Sequence, residues 1–420
     1  MNAEAAYLFR HALMRDAAYQ LMLPSVRGIL HAQAARILER VHGGKDSHAL
    51  DAFAAEICDH LRVALTQRMG AAKRRSLSSR FHELLGNAAR HAEGQFQYAA
   101  ALVLWKERAN SAGGDARSKV AALSRAGLMA TWLFDLPQAK KLARSQLAQS
   151  RAIGDARLVA GALSDLARIE FLRRNLPRSR ALYEKALRHA GDNADPLFLG
   201  KLFCNWAVAE HQLGKLDAAR VLFERAELIQ RRNNDVGGIA ATLLNFANLE
   251  IDARHPAEFE RLCQAAIPML RQAGDVRGEG YALGNLGQHY FETNRADQGA
   301  SLLGLALELH HRVSNFEQEG WVAAYLCGRW MATGNLINAA QAAQRAIRAL
   351  EQTANSEWLG AAWSKLAVIY FRTGQRVLAE HAAASAELAL RGSRTVGSES
   401  YRKEIANARE QASKSPTLLP

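Results

Sequence analysis

From about residue 76 the chain is written in windows whose apolar positions recur at three- and four-residue spacing, separated by short polar or glycine breaks. That spacing predicts amphipathic helices, and no segment shows the sustained alternation of a strand. The windows themselves recur. Stepping by forty residues through Gly214 lands on Gly94, Phe134, Arg174, Arg254, Asn294, Gly334 and Gly374, mostly residues that tolerate a tight turn. Twelve residues beyond the last six turns stand Ala186, Ala226, Ala266, Ala306, Ala346 and Ala386. Seven residues before the turns stand Gly127, Ala167, Ala207, Ala247, Gly287, Cys327 and Ala367, all small. Directly ahead of the last six of these come Leu166, Trp206, Phe246, Leu286, Leu326 and Leu366, all large. Large then small at one phase is what two closely packed helices require: the small residue admits the partner backbone and its neighbour fills the space beside it.

Each forty-residue unit thus holds two helical windows, roughly 156–173 and 176–190 in one copy, 276–293 and 295–312 in another. Gly154-Asp155, Asn234-Asp235 and Gly274-Asp275 separate units, pairs that stop one helix and cap the next. The predicted fold class is all-α, a right-handed α-solenoid of stacked helical hairpins, because one hairpin cannot bury its apolar face alone. The columns resemble the tetratricopeptide repeat, best in WSKLAVIYFRTGQRVLAEHAAASA (363–386) and LGNLGQHYFETNRADQGASLLGLA (283–306). The resemblance spans about eight helix pairs over residues 76–391. Its forty-residue period, longer than the usual thirty-four, resembles that of the variant in bacterial regulators and light-chain-type adaptors. The first two units depart from it, with Lys106 and Gln146 in the alanine column.

Residues 7–41, YLFRHALMRDAAYQLMLPSVRGILHAQAARILERV, lie outside the repeat phase. Phe9, Leu13, Ala17 and Leu21 fall on one helix face, Pro24 ends that helix, and Ile29 to Val41 makes another. Phe9, His11, Ala12, Leu13, Asp16, Ala18, Tyr19, Arg27, His31 and Ala35 resemble the phrase that joins the winged-helix end of signal-transduction (STAND) ATPases to their repeat domain. The resemblance implies an ATPase module in cis or in trans. It makes His11 a nucleotide-sensing candidate, since the matching histidine of that family faces the β-phosphate of bound ADP. The phosphate-cradling GxxxxGK[ST] loop is absent, and HGGKDSH (42–48) does not supply it, so the chain alone is not expected to bind ATP in that family's way. The expected organisation is a junction remnant over 1–42, a capping region over 43–75, the solenoid over 76–391, and a C-terminal helix (398–412) with a disordered tail within 392–420.

Composition narrows the chemistry. Of 420 residues, 49% are apolar and 23% charged, as in a folded protein, and no apolar run is long enough to span a membrane. The early charges of Arg10, Arg15 and Asp16 argue against a signal peptide, and the scattered Cys58, Cys204, Cys263 and Cys327 read as buried thiols of a cytoplasmic protein. Neither metal spacing nor a nucleophile with a readable base is present, so the reading is non-catalytic, with no metal and no cofactor.

What remains is the inner surface formed by the first helix of each pair. Nine residues before successive turns stand Asp165, Asn205, Asn245, Asn285, Tyr325 and Lys365, and three residues further on Arg168, Val208, Asn248, Gln288, Gly328 and Val368. A repeated asparagine is a poor helix former, and its amide can donate to and accept from a peptide backbone. Asp165, Arg168, Asn205, Asn245, Asn248, Asn285 and Gln288 are therefore the candidate groove residues; local bonding between neighbouring helices is the competing account. The net charge of +13 is uneven, +8 over residues 101–200 and −2 over 201–300, with Arg168, Arg173, Arg174, Arg178 and Arg180 in one repeat. The expected partner is a protein, a peptide or a small effector, with the chain as sensor arm of an ATPase-type regulator. A basic helical-repeat RNA-binding protein is the alternative, disfavoured because apolar residues interrupt the columns.

Overall fold

The computed structural model describes residue 17 and residues 19–43, 47–191, 193–353, 355–391 and 395–414. These residues are helical, with no strand among them, and the chain divides into two compact units, 1–215 and 216–420. The first unit carries α1 (Pro24–His42), α2 (Ser47–Leu65), α3 (Ala71–Gly94), α4 (Tyr98–Asn110), α5 (Ala116–Trp132), α6 (Leu136–Ile153), α7 (Ala156–Leu172), α8 (Leu176–Ala190) and α9 (Pro196–Gln212). The second carries α10 (Leu216–Arg232), α11 (Val236–Asp252), α12 (Pro256–Gln272), α13 (Val276–Glu292), α14 (Ala296–Arg312), α15 (Phe316–Ala332), α16 (Leu336–Leu350), α17 (Ser356–Arg372), α18 (Arg376–Ala389) and α19 (Val396–Lys414). Within each unit, sequential helices pack as antiparallel hairpins that stack on the next, α7 with α8 or α13 with α14.

The turn inside each hairpin explains the forty-residue ruler. Phe134, Arg174, Arg254, Asn294, Gly334 and Gly374 all have positive φ, between 57° and 77°. The residue after each donates its N–H to the carbonyl five positions back, as Asn175 N to Glu170 O (2.9 Å), His255 N to Glu250 O (2.8 Å) and Gln375 N to Tyr370 O (2.9 Å). This left-handed cap satisfies carbonyls that a helix end otherwise leaves open. The ruler slips at the first hairpin. Gly94 is still helical, and the positive φ falls two residues later, at Phe96 (58°), where Gln97 N reaches Ala92 O at 2.8 Å. The turn between units is capped as the sequence suggests: Asp235 and Asp275 accept from Gly238 N (3.0 Å) and Gly278 N (2.9 Å).

The alanine column is fully buried from Ala186 to Ala386, and so are Ala167, Ala247, Cys327 and Ala367 of the small column. Gly287 shows why smallness matters, because a Cβ there would stand 3.0 Å from the Gly299 carbonyl on the facing helix. Where alanine is missing, something polar fills the place: buried Gln146 donates to Asp165 at 3.1 Å. With the ruler corrected, Arg108 rather than Lys106 stands in the first hairpin's alanine position, its guanidinium laid on Gly86, where a Cβ would come within 2.8 Å. Outside the repeats, α1 starts at Pro24 itself, not at Ile29, since proline is preorganised for the first turn of a helix. The C-terminal helix runs Val396–Lys414, slightly longer than the expected 398–412.

The left-handed turns give the first prediction. Gly334→Ala, at φ 77° with open space around the missing Cβ, is expected to cost about 1 kcal/mol through backbone conformation alone. Exposed Arg254→Gly, at φ 65°, should stabilise by about 0.5–1 kcal/mol. Thermal or urea unfolding of the two variants must move in opposite directions.

Candidate functional site

The candidate groove residues project from the first helices of the hairpins, and all are half-buried. In the first unit, Asp165 on α7 accepts from Ser124 Oγ on α5 (2.8 Å) and from Gln146 Nε2, with Arg168 3.9 Å away. Asn205 on α9 is half-buried, and its amide takes no hydrogen bond among the described residues. In the second unit, Asn285 Nδ2 on α13 donates to Asn248 Oδ1 on α11 at 2.9 Å, and Asn245 Nδ2 donates back to Ala241 O at 2.9 Å. Gln288 Nε2 donates to Glu292 at 2.9 Å, while the Tyr325 hydroxyl reaches the Gln288 carbonyl at 3.5 Å. Lys365 Nζ on α17 donates to Ala324 O on α15 at 2.9 Å. Several column side chains therefore reach the preceding first helix, which they can do because the small residues beside them let those helices approach.

A second polar column escapes a reading of the exposed face. Four residues before successive turns stand Glu170, Glu210 and Glu250, each no more than 2% exposed. Each meets a cation from the previous hairpin's second helix, thirty residues earlier: Lys140 Nζ to Glu170 at 2.6 Å, Arg180 Nε to Glu210 at 3.1 Å, and Arg220 Nη2 to Glu250 at 3.2 Å. Further along the second unit the polarity reverses, with the Tyr290 hydroxyl donating to Glu260 at 3.0 Å. Burial works against the charge on Glu170, but Lys140, Arg173 and Arg178 outweigh it and hold the carboxyl below the ordinary range. The thirty-residue offset was the signal available in the sequence; it is invisible to a search for clusters close along the chain.

These carboxylates also account for the basic repeat. Arg173 and Arg178 lie 3.4 and 3.8 Å from Glu170, Arg180 is shared by Glu184 and Glu210, and Arg174 contacts Gln212 at 3.4 Å. Several of the cations counted along that stretch are thus paired with carboxylates, while their own side chains remain partly exposed. Among the described residues no group of three His, Cys, Asp or Glu is placed to hold a metal ion, and no helix is long and apolar enough to cross a membrane. The four cysteines are buried thiols outside any disulfide, and burial pushes the pKa of Cys58 and of Cys263 up to about 12.

Of the N-terminal phrase, His11 lies outside the described residues. Tyr19, Arg27 and His31 come together: the Tyr19 hydroxyl is 2.9 Å from His31 Nε2, the Arg27 guanidinium sits 5.2 Å from the Tyr19 ring centre, and Ala35 is buried. The other ring nitrogen of His31 lies 2.7 Å from His60 Nδ1 on α2. Burial, then His60 and Arg27, lowers the His31 pKa.

The stacked helical hairpins of each unit form a solenoid like that of tetratricopeptide-repeat proteins. Among solved structures, the chain is similar to a STAND protein with a tetratricopeptide-repeat sensor from Pyrococcus horikoshii, at TM-score 0.55 and 13% identity over 97% of this chain and 66% of that one. The chain thus spans just under two thirds of that protein's length. It is similar also to a Rap protein complexed with Competence and Sporulation Factor, at TM-score 0.51 and 13% identity over 80% of this chain and 99% of that one. No protein-family model and no curated protein matches the sequence.

Lys140→Met should lower stability by roughly 2 kcal/mol, less than the 3–5 of a wholly abandoned buried charge, because Arg173 and Arg178 stay beside Glu170. A carboxyl depressed in the folded state contributes stability above its unfolded pKa and loses it as pH falls through the folded value. Glu170→Gln should accordingly flatten the acid side of a stability-versus-pH curve measured by urea unfolding; an unchanged slope rejects the assignment.

Proposed function

We propose that the chain is a non-catalytic scaffold that binds a protein, a peptide or a small effector through the polar columns of its first helices, and serves as the regulatory arm of a STAND-type ATPase regulator. The observation that carries the binding reading is the run of half-buried amides on α11 and α13, Asn245, Asn248, Asn285 and Gln288, at matched phase. Amides offer both a donor and an acceptor at a depth where water competes less, which suits an extended backbone of any sequence. In the first unit, Asp165, Arg168 and Asn205 offer charged and amide groups at the same phase. The arm reading is supported by the similarity to a sensor-bearing STAND protein across 97% of this chain, and by the Tyr19–Arg27–His31 cluster, built from residues of the junction phrase. On this reading residues 1–42 join the array to the ATPase module, 43–75 cap it and 76–391 form the recognition surface.

The mechanism is a shift between arrangements of arm and ATPase. A ligand can bring that about only by binding one arrangement more tightly than the other. The test begins with a peptide array probed with the purified chain, followed by anisotropy titration of the strongest peptide. Asn245→Ala with Asn285→Ala should weaken it by about tenfold, equivalent to about 1.4 kcal/mol. Binding that ignores both changes, or an array with no binder, rejects groove recognition by these amides.

A further inference from the structure

The helix α1 is apolar on two opposite sides. One side, Gly28, Ala32 and Ala35, is buried in the first unit. The other carries Val26, Leu30, Ile37 and Val41, exposed by 43%, 44%, 57% and 66%, with Leu23 just ahead of the helix at 67%. At 3.6 residues per turn the four helical positions fall within roughly 60° of arc, and the stripe runs about 22 Å. Steps of three, four and seven are those of a seam into which a second helix packs its own side chains. A helix apolar on both sides ordinarily has cover on both.

The borders of the stripe say what kind of cover. Arg36 and Arg40 flank one edge and Arg27 the other, and none of the three makes an ion pair among the described residues. The one acid of α1, Glu39, faces inward and is held by Arg80 at 2.8 Å. A second copy of this helix would set arginine against arginine. A lipid surface is disfavoured too, since α1 has none of the aromatic residues that anchor a helix at a membrane interface.

We propose that the outer face of α1 docks an amphipathic helix of another protein, one whose aliphatic seam is edged with Asp and Glu. This surface is separate from the amide columns, and either reading can fail without the other. The probe is a synthetic helix of about three heptads with Leu and Ile in the seam and Glu at the edges, compared with a twin carrying Lys at the edges, titrated against the full chain. The Glu-edged peptide should bind at least about tenfold more tightly than the twin, lose affinity as salt rises, and be weakened about tenfold by Ile37→Gln or Leu30→Gln. Both substitutions sit on an exposed face, so circular dichroism and the melting temperature should stay as they were. Equal binding of the twins, or none, overturns the proposal. So does a chain dimer in sedimentation that Ile37→Gln dissolves, flotation with anionic vesicles that Ile37→Gln abolishes, or peptide binding that emerges only after residues 1–16 are removed.

Discussion

The distance of closest approach between two helices of a hairpin governs everything else in this protein. That distance is set by residues with almost no side chain: Gly287 against the Gly299 carbonyl, Ala167 beneath the Ser179 hydroxyl that bonds to it at 2.8 Å, and the alanines on each second helix. Larger groups there would force the helices apart and forfeit dispersion contacts along their whole length. Close approach brings polar side chains of neighbouring hairpins within hydrogen-bond reach. It also makes each hairpin depend on the next, since an alanine-lined face buries little area by itself.

The buried glutamates add register to that packing. Apolar contacts between alanine-rich helices are forgiving, and a slide of one turn would keep much of the buried area. Glu170 bound to Lys140, or Glu210 bound to Arg180, tolerates no such slide without leaving a charge unpaired in the interior. The same residue does two jobs: the Glu170 carbonyl closes the left-handed turn through Asn175 N, while its carboxylate holds the previous hairpin. Where the acid gives way to Tyr290, the bond to Glu260 occupies the equivalent place with the polarity turned around.

Periodicity made most of the fold legible, because the forty-residue ruler marks real left-handed turns. It erred where length changed: the first hairpin turns at Phe96 rather than Gly94, and composition misled, since glycine there is helical while phenylalanine takes the strained conformation. Turn type is decided by the geometry of chain reversal, and the residue at that point accepts what it must. The candidate columns were legible in phase but not in partnership. That Asn285 meets Asn248, or Asp165 meets Ser124, depends on the spacing of helices forty residues apart. The basic repeat was least legible, because a linear count does not show that Arg180 pairs with Glu210, thirty residues on and on another helix.

The columns' double use bears on how a ligand could be held. An amide already bonded to its neighbour, as Asn285 is to Asn248, must give up that bond to grip something else. Exchange of one hydrogen bond for another gains little, about 1 kcal/mol or less. Asn205 carries no such debt, and the outer lone pair of an amide already used once remains open. If the columns bind a ligand as proposed, affinity there would come from many shallow contacts made at once, and above all from a scaffold that is ordered beforehand. A ligand of that kind reads the spacing of the first helices more than the identity of any one side chain. On the proposed reading, anything that alters the spacing, including a changed ion pair between second and first helices, would be felt as a change in binding.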